Sequence, residues 1–346
     1  MSTERTEIEK LGEFGLIDRL TQNFETFNAS TVLSIGDDAA VIDHFGKQTV
    51  ITTDLLVEGV HFDLMYTPLK HLGYKSVVVN LSDIYAMNAQ PTQITMSLAF
   101  SNRFSLEALE EFYEGVAIAC DKYGVDLIGG DTSTSQKGLI ISVTALGEVA
   151  PDQYIKRSTA ESGDLICVSG DLGAAFLGLT LMEREKKIFL ENPQIQPNLE
   201  NEDYIVGRLL RPEARKDIIE LLEKLEIKPT SMMDISDGLS SDVLHLCKQS
   251  DLGCRIYEEK IPINEASKAA AFKFGLDATV CALNGGEDYE LLFTMKQADY
   301  DKMTMQEEIS VIGYMCDASE GKKLITKGNN LFDITAQGWN AFGKDA

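Results

Sequence analysis

The sequence has little of what marks several specialised protein classes. Its 346 residues include 8 Pro, 27 Gly and 1 Trp. This composition excludes a collagen-like or low-complexity chain. Hydrophobic residues make up 44% of the chain and charged residues 25%, which is enough apolar material for folded cores. A chain of this length is predicted to form about two domains.

Positive charge is scarce. The chain has 31 Lys and Arg against 55 Asp and Glu, so its net charge is −24. Such a charge repels DNA, RNA and anionic membrane surfaces at long range. We therefore predict a protein that has no nucleic-acid partner.

Long apolar runs are also missing. No run approaches the roughly 20 residues of a membrane span, and the first residues, MSTERTEIEK, lack the apolar stretch of a signal peptide. We predict a cytoplasmic protein that does not bind membranes. The six cysteines are scattered without a C-x-x-C motif, so neither a zinc knuckle nor a disulfide framework is indicated, and buried thiols are expected.

Several common catalytic motifs are absent. The sequence contains no G-x-x-x-x-G-K-[ST], no G-x-G-x-x-G, no H-E-x-x-H and no G-x-S-x-G. It therefore does not support a P-loop enzyme, a dinucleotide-binding fold, a zincin or a serine hydrolase. None of the four histidines stands in a triad-like setting.

Two stretches of alternating strand and helix patterns are present. The first runs from Thr31 to Ala150 and ends at the punctuated segment VAPD, which suits a domain junction. The second begins at Ser158, with strands expected near 165–168 and 291–294 and a helix near 212–225. We predict a boundary near residue 150 and two domains, 1–150 and 151–346, each of them α/β or α+β.

Acidic residues recur after short apolar runs. The five instances are VLSIGDD ending at Asp38, TVITTD at Asp54, VDLIGGD at Asp131, MMDISD at Asp237 and LNGGED at Asp288. We predict that these carboxylates follow strands, since each comes at the end of a short apolar run. Ligands of α/β sheets bind beyond the carboxyl ends of strands, so these carboxylates are candidates for a binding site. Asp83 is expected on a helix from Tyr74 to Ala89. For any single instance, a turn or helix-capping aspartate is the alternative.

Carboxylates that converge on one cleft repel each other and would raise their own pKa values. A cation is therefore expected among them. Mg²⁺ is the candidate that matches Asp, Thr and Ser oxygens without His or Cys ligands.

Six strings in order resemble the thiamine-monophosphate kinase family, within the superfamily typified by aminoimidazole ribonucleotide synthetase. They are IGDDAAVI, ITTDLLVEGVHF, YKSVVVNLSDIYAMNA, LIGGDTS, DISDGLSSDV and NGGEDYELLFT. The resemblance implies a two-domain fold with an α/β and an α+β domain. It also implies a homodimer in which the N-terminal mixed sheets form a shared barrel beside the active site. The implied activity is ATP-dependent phosphorylation of thiamine monophosphate to thiamine diphosphate, the last step in making that cofactor.

The same resemblance assigns roles to individual residues. The positions similar to the family's Mg²⁺ ligands are Asp38, Thr52, Thr53, Asp54, Asp83, Asp131, Asp234 and Asp237. Those similar to its nucleotide contacts are Gly130, Asp131, Arg157 and Ser236. Those similar to its contacts with thiamine phosphate are His61, Glu287 and Trp339. The segment around Arg157, YIKRSTAESGD, departs from the family's usual R-[ST]-G-A-x-P-G-D.

Structural roles are the alternatives for four of these residues. Arg157 could be a surface ion-pair partner, Trp339 an anchor for the C-terminal tail, Ser236 a helix cap and His61 a surface loop residue.

No catalytic base is expected in this chemistry. The acceptor is a phosphate whose second pKa is about 6, so it is already largely ionised at neutral pH. Positioning and charge neutralisation then carry the in-line transfer.

Other functions remain open at this point. Aminoimidazole ribonucleotide synthetase and selenophosphate synthetase share the superfamily. The latter would need a reactive Cys near the N-terminus, whereas the first Cys here is Cys120. A non-catalytic, acidic metal-binding protein is a further alternative, although EF-hand spacing is missing.

Overall fold

The computed structural model describes residues 31–33, 37–44, 46–101 and 104–336. Six strands form the first sheet: β1 (Thr31–Leu33), β2 (Ala40–His44), β3 (Lys47–Val57), β4 (Gln90–Phe100), β5 (Asp126–Thr134) and β6 (Ile140–Val149). Their order is β1-β2-β3-β6-β4-β5, and only β4 and β5 pair in parallel. Within the described residues, the first two helices are α1 (Leu69–Ala86) and α2 (Leu106–Tyr123).

Helix α1 packs on one face of this sheet, and α2 packs on α1. Almost every residue of α1 after its first turn is buried, because the helix lies between the sheet and α2. Two glycines allow the helices to approach closely. A Cβ at Gly73 would lie 1.9 Å from the Phe112 carbonyl oxygen, and one at Gly115 would lie 1.9 Å from the Lys70 carbonyl oxygen.

Seven strands form the second sheet: β7 (Leu165–Ser169), β8 (Ser231–Asp234), β9 (Leu252–Tyr257), β10 (Leu291–Met295), β11 (Ile309–Asp317), β12 (Lys322–Ile325) and β13 (Leu331–Asp333). Its order is β13-β12-β9-β11-β7-β10-β8. The helices of this part are α3 (Ala174–Glu191), α4 (Asp203–Leu210), α5 (Lys216–Lys224), α6 (Leu239–Ser250), α7 (Glu265–Phe274), α8 (Ala278–Asn284) and α9 (Tyr300–Met303).

The central strands of the second sheet have helices on both sides. Ile166 and Val168 of β7 belong to one core with Val243 of α6, whereas Cys167 between them belongs to another core with Ile218 of α5. Successive side chains of a strand point to opposite faces, and residues 165–168 of β7 are accordingly all apolar. The helix predicted over 212–225 exists as α5, and the predicted strands exist as β7 and β10.

Three predictions about strand ends are wrong. Asp54 and Asp131 lie inside β3 and β5, because the residues that follow each of them continue to pair with β6 and β4. Asp288 follows a helix instead of a strand, since the apolar residues before it form α8. The helical position of Asp83 is confirmed, and Asp237 does follow a strand, β8.

The described part of the chain forms two mixed sheets with helices and contains no closed barrel. Among its helices, none combines the length and the apolar character needed to cross a bilayer. The cytoplasmic location stays a prediction. All six cysteines are free thiols, five of them buried and Cys120 half-buried.

Candidate active site

Three of the predicted metal ligands converge where the two sheets meet. Asp38, Asp83 and Asp234 each offer a carboxylate oxygen, and these oxygens lie within 4.8 Å of one another. Asp38 precedes β2, Asp83 lies in the last turns of α1, and Asp234 ends β8. The cluster therefore needs both parts of the chain. We call these three residues the acidic cluster.

Neighbouring side chains hold the acidic cluster in place. The Thr52 hydroxyl donates to Asp83 Oδ2 at 2.6 Å. The buried Ser82 hydroxyl donates to Asp234 Oδ2, also at 2.6 Å, and so joins α1 to β8. When the carboxyl groups are ionised, each of these hydrogen bonds is charge-assisted and therefore stronger than a neutral one.

Asp54 lies on the same side of the first sheet as Thr52, two residues further along β3. Its backbone N–H donates to the Asn80 side-chain oxygen at 3.0 Å. Helix α1 thus contributes Asn80, Ser82 and Asp83 to the site from a single turn.

Burial and mutual repulsion raise the pKa values of these carboxyl groups. Burial, followed by the charge of Asp234, raises the pKa of Asp54 to about 6. Burial, followed by the charges of Asp54 and Asp234, raises the pKa of Asp83 well above its usual range. Burial also raises the pKa of Asp234. The site therefore holds more negative charge than it can stabilise by itself.

The donor set fits a hard divalent cation. Among the described residues, the buried Oδ2 of Asp38 has no hydrogen-bond partner. An unpartnered buried carboxylate oxygen costs stability unless something binds it. Clustered carboxylate oxygens with a threonine hydroxyl nearby form the all-oxygen environment that Mg²⁺ prefers.

Arg157 reaches the acidic cluster directly. Its guanidinium contacts Asp38 through Nη2, and its Nε lies 3.6 Å from Asp37 Oδ1. The Arg157 backbone N–H also donates to Asp37 Oδ2 at 3.2 Å. Burial raises the pKa of Asp37 to about 6, against the opposing charge of Arg157. The predicted nucleotide-binding arginine is therefore a half-buried partner of carboxylates, with 13% of its side chain exposed.

The structure does not bring Thr53 and Asp131 to the acidic cluster. The Thr53 hydroxyl donates to the Val143 carbonyl at 3.0 Å on the opposite face of the sheet from Thr52. Thr53 pairs with Thr144, Thr144 with Thr95, and Ser97 with Asp131. Paired residues share a face, as do residues two apart in a strand.

Thr53 and Asp131 thus share one face of the first sheet with Leu55, opposite α1, and we call it the open face. Gly130, next to Asp131 in β5, allows β5 to approach the backbone of β4 closely. A Cβ at Gly130 would lie 1.7 Å from the Met96 carbonyl oxygen. The predicted ligand set is therefore divided between two faces, because neighbouring residues of a strand point in opposite directions.

Ser236 and Asp237 lie in the loop that follows β8, against the loop 285–289. The Glu287 N–H donates to the Ser236 carbonyl at 2.8 Å, and the Tyr289 N–H donates to the Ile235 carbonyl at 2.9 Å. Glu287 and Tyr289 have φ values of +65° and +52°, in the left-handed region. Such backbone is unfavourable outside glycine and is common at binding sites.

His61, in the first part of the chain, lies close enough to Glu287 of the second part for the two to interact electrostatically. The Val57 N–H donates to His61 Nδ1 at 3.0 Å, so the neutral ring carries its proton on Nε2. Burial lowers the pKa of His61, while the nearby charge of Glu287 opposes this shift. Trp339, the third predicted contact with thiamine phosphate, lies outside the described residues.

Sequence reasoning missed several residues of the site. Asn80 and Ser82 stand beside Asp83 in the NLSD string, so their position was a signal that they share its helical turn. Asp242, a buried carboxylate of α6, lies near Asp237 and Asp234, whose charges add to the effect of burial in raising its pKa. Lys75, which pairs with Glu287 at 2.9 Å, lies in the string YKSVVVNLSDIYAMNA, where nothing in the sequence singled it out.

Comparisons with known proteins identify the family and the fold of this chain. Residues 36–149 match the family described as AIR synthase related protein, N-terminal domain, and residues 161–322 match its C-terminal domain. The thiamine-monophosphate kinase of Aquifex aeolicus is 34% identical over 335 residues, which cover 97% of this chain and 99% of the relative. That of Bacillus subtilis is 32% identical over 339 residues, covering 96% and 100%.

A solved structure described as AaThiL complexed with AMPPCP and TMP has the same fold. Its TM-score is 0.83 at 32% sequence identity, and the match covers 99% of this chain and 100% of that one. The two-domain architecture expected from the resemblance is thereby confirmed. With about one third of its residues identical to these relatives over nearly the whole length of both chains, this chain belongs to the thiamine-monophosphate kinase family.

Proposed function

We propose that this protein transfers the γ-phosphoryl group of ATP to thiamine monophosphate and so forms thiamine diphosphate, with Mg²⁺ as its metal. The observation that carries this proposal is the acidic cluster, with its unpartnered buried Asp38 oxygen, at the junction of the two sheets. The family relationship supports the same reaction.

The proposed ligand assignments follow the geometry first and the family pattern second. Geometry favours Asp38, Asp83 and Asp234 as metal ligands, with Thr52 beside them. Asp54 is added because its charge interacts with those of Asp83 and Asp234. The family pattern adds Thr53, Asp131 and Asp237 for metal, and Gly130, Asp131, Arg157 and Ser236 for ATP. It assigns thiamine phosphate to His61, Glu287 and Trp339.

The metal, when bound, neutralises phosphate charge and aligns the reacting oxygens. The chain's own residues then do the rest. Ser82 and Thr52 keep Asp234 and Asp83 oriented toward the shared centre. Arg157 supplies a cation for the nucleotide side. Glu287 offers negative charge to the cationic ring of the acceptor, and His61 is a hydrogen-bond donor through Nε2. No residue needs to remove a proton, because the acceptor phosphate is already ionised.

We further propose that the chain acts as a homodimer whose N-terminal sheets form a shared barrel, with domains spanning 1–150 and 151–346. The open face supports this proposal. Leu55 is 55% exposed there, and every residue of β5 is exposed. Within the described residues, β5 is an edge strand that pairs only with β4. Exposed apolar side chains and long edge strands are typical of surfaces that a second copy covers.

The decisive experiment measures ADP and thiamine diphosphate formed from ATP by the purified chain. We expect ADP release that depends on thiamine monophosphate, with one thiamine diphosphate per ADP, and no release with an aminoimidazole ribonucleotide precursor or with selenide. Release driven by either of the last two would transfer the assignment to the corresponding synthetase. Mg²⁺ binding without any turnover would indicate a metal-binding protein.

A further inference from the structure

One buried cation near the site has no part in the proposed metal or nucleotide binding. Lys75 lies on α1 with only 5% of its side chain exposed. Burying an ammonium group is unfavourable unless it is paired and hydrogen-bonded. Its Nζ donates to Glu287 Oε2 at 2.9 Å and to the Leu209 carbonyl at 3.2 Å. Lys75 therefore joins α1 to the second part of the chain at Glu287.

The backbone around Glu287 needs such support. Glu287 has left-handed φ, and its loop packs tightly on the turn after β8. A Cβ at Gly286 would lie 2.3 Å from the Ser236 carbonyl oxygen. The loop thus fixes the backbone position of Glu287, and the contact with Lys75 fixes the position of its Oε2.

The surroundings of Glu287 are strongly acidic. The buried Tyr289 ring lies within reach of four negative charges, those of Glu287, Asp54, Asp234 and Asp83. A glutamate at the edge of such a group is repelled by the others and can turn away from them. Lys75, which approaches from α1, supplies the opposing attraction at a defined position.

We propose that Lys75 is a positioning residue for the acceptor. It holds Glu287 Oε2 and so directs Oε1 toward the cationic ring of thiamine monophosphate. This inference rests on the proposed function, because it concerns the acceptor side of that site. It assigns selectivity for a positively charged acceptor to the pair of Lys75 and Glu287. Removal of Lys75 should therefore weaken acceptor binding while leaving ATP binding and the transfer step nearly intact.

The test compares steady-state kinetics of Lys75→Met, Lys75→Gln, Lys75→Arg and Glu287→Gln with the parent enzyme. Lys75→Met removes the charge at similar length, and Lys75→Gln keeps a donor for the Leu209 carbonyl in case the methionine variant fails to fold. We expect the KM for thiamine monophosphate to rise about ten-fold or more in both, by loss of a charge-assisted bond. We expect kcat to stay within about three-fold of the parent value and the KM for ATP within about two-fold. Lys75→Arg keeps the charge and should have a KM for thiamine monophosphate much closer to that of the parent.

Lys70→Met is the matched control, because Lys70 lies on the same helix and pairs with Glu114 at the surface at 3.1 Å. It should change none of these constants. The double variant Lys75→Met with Glu287→Gln should be no worse than Glu287→Gln alone, since Lys75 acts through Glu287.

Three results would overturn the inference while leaving the proposed function intact. The first is an unchanged KM for thiamine monophosphate in a folded Lys75 variant. The second is a rise in the KM for ATP as large as the rise in the KM for thiamine monophosphate. The third is a double variant in which the effects of the two single substitutions on the KM for thiamine monophosphate add up. A parent enzyme without turnover that depends on thiamine monophosphate would overturn the proposed function, and this inference with it.

Discussion

Asp54 and Asp83 contribute charge to the site by different structural means. The Thr52 hydroxyl orients the Asp83 carboxyl group by a hydrogen bond. Asp54 is positioned through its backbone N–H, which donates to the side-chain oxygen of Asn80. Both carboxyl groups are buried among other carboxylates, so their charge is stable only with a cation present. Their function therefore depends on charge and not on shape.

We expect Asp54→Asn and Asp83→Asn to reduce turnover to background while the fold is kept, because an amide fills the same space without the charge that holds the metal. Coupled ADP release at saturating ATP and calorimetric Mg²⁺ titration with an ATP analogue would measure both effects. Asp43→Asn, at an exposed position of β2, is the control and should retain full activity. Parent-like turnover in both site variants at low Mg²⁺ would contradict the metal assignment.

The raised pKa of Asp54 also makes stability depend on pH. A carboxyl group whose pKa rises from 3.8 to about 6 on folding binds its proton more tightly in the folded state. Its contribution therefore favours folding at low pH and is lost as the pH rises from about 4 to 6. At about 1.4 kcal/mol per pKa unit, the loss in the free energy of unfolding reaches up to about 3 kcal/mol.

Asp54→Asn should remove this loss. In buffer containing a chelator, its Tm should fall less than that of the parent between pH 4 and pH 7. Thermal melts at several pH values would measure the difference, and parallel curves for the two proteins would show that Asp54 is not desolvated as described.

At the scale of elements, the crossing of α1 and α2 sets the position of the site. Helix α1 carries Asn80, Ser82 and Asp83, and its contact with α2 is close because Gly73 and Gly115 lie at the crossing. A side chain at either glycine would push the helices apart. The close contact between α1 and α2 therefore contributes to stability and also positions the site residues on α1.

Gly115→Ala should destabilise the protein by about 1–3 kcal/mol or more, because its Cβ would meet the Lys70 carbonyl at 1.9 Å. Differential scanning calorimetry should show a Tm lower by several degrees. Gly207→Ala, in α4, is the control, since the nearest atom to its Cβ would be 3.8 Å away and alanine favours a helix. An unchanged Tm in Gly115→Ala would mean that the crossing is looser than described.

At the scale of the whole molecule, the open face predicts association. Light scattering at micromolar concentration should give twice the 38.1 kDa mass of the chain. Leu55→Glu, which places a charge on the open face, should shift the protein toward the monomer without changing the acidic cluster on the other side. A parent protein that stays at 38.1 kDa throughout this range would contradict the dimer.

Ligand binding should stabilise the molecule as a whole, because the acidic cluster joins both parts of the chain. Mg²⁺ with a non-hydrolysable ATP analogue should raise the Tm, since binding to the folded state alone adds to its stability. The gain should be smaller in Asp38→Asn, which removes the negative charge beside the unpartnered oxygen. Equal gains in the parent and the variant would place Asp38 outside the site.

The sequence by itself determined the chemistry of this protein. The order of the six strings indicated the family, and the aspartates that recur after short apolar runs, without His or Cys ligands, predicted an all-oxygen metal site. The uninterrupted run around Asp83 indicated its helix. These features are local or compositional, so they can be read without knowing which parts of the chain meet.

Only the tertiary structure decided which of the predicted residues stand together. Thr53 and Asp54 are neighbours in the TTD string, yet β-strand alternation directs them to opposite faces of the sheet. Lys75 and Glu287 are 212 positions apart, and only the packing of α1 against the second part of the chain pairs them. Spacing along the chain does not determine distance between elements, because that distance is set by the cores between them.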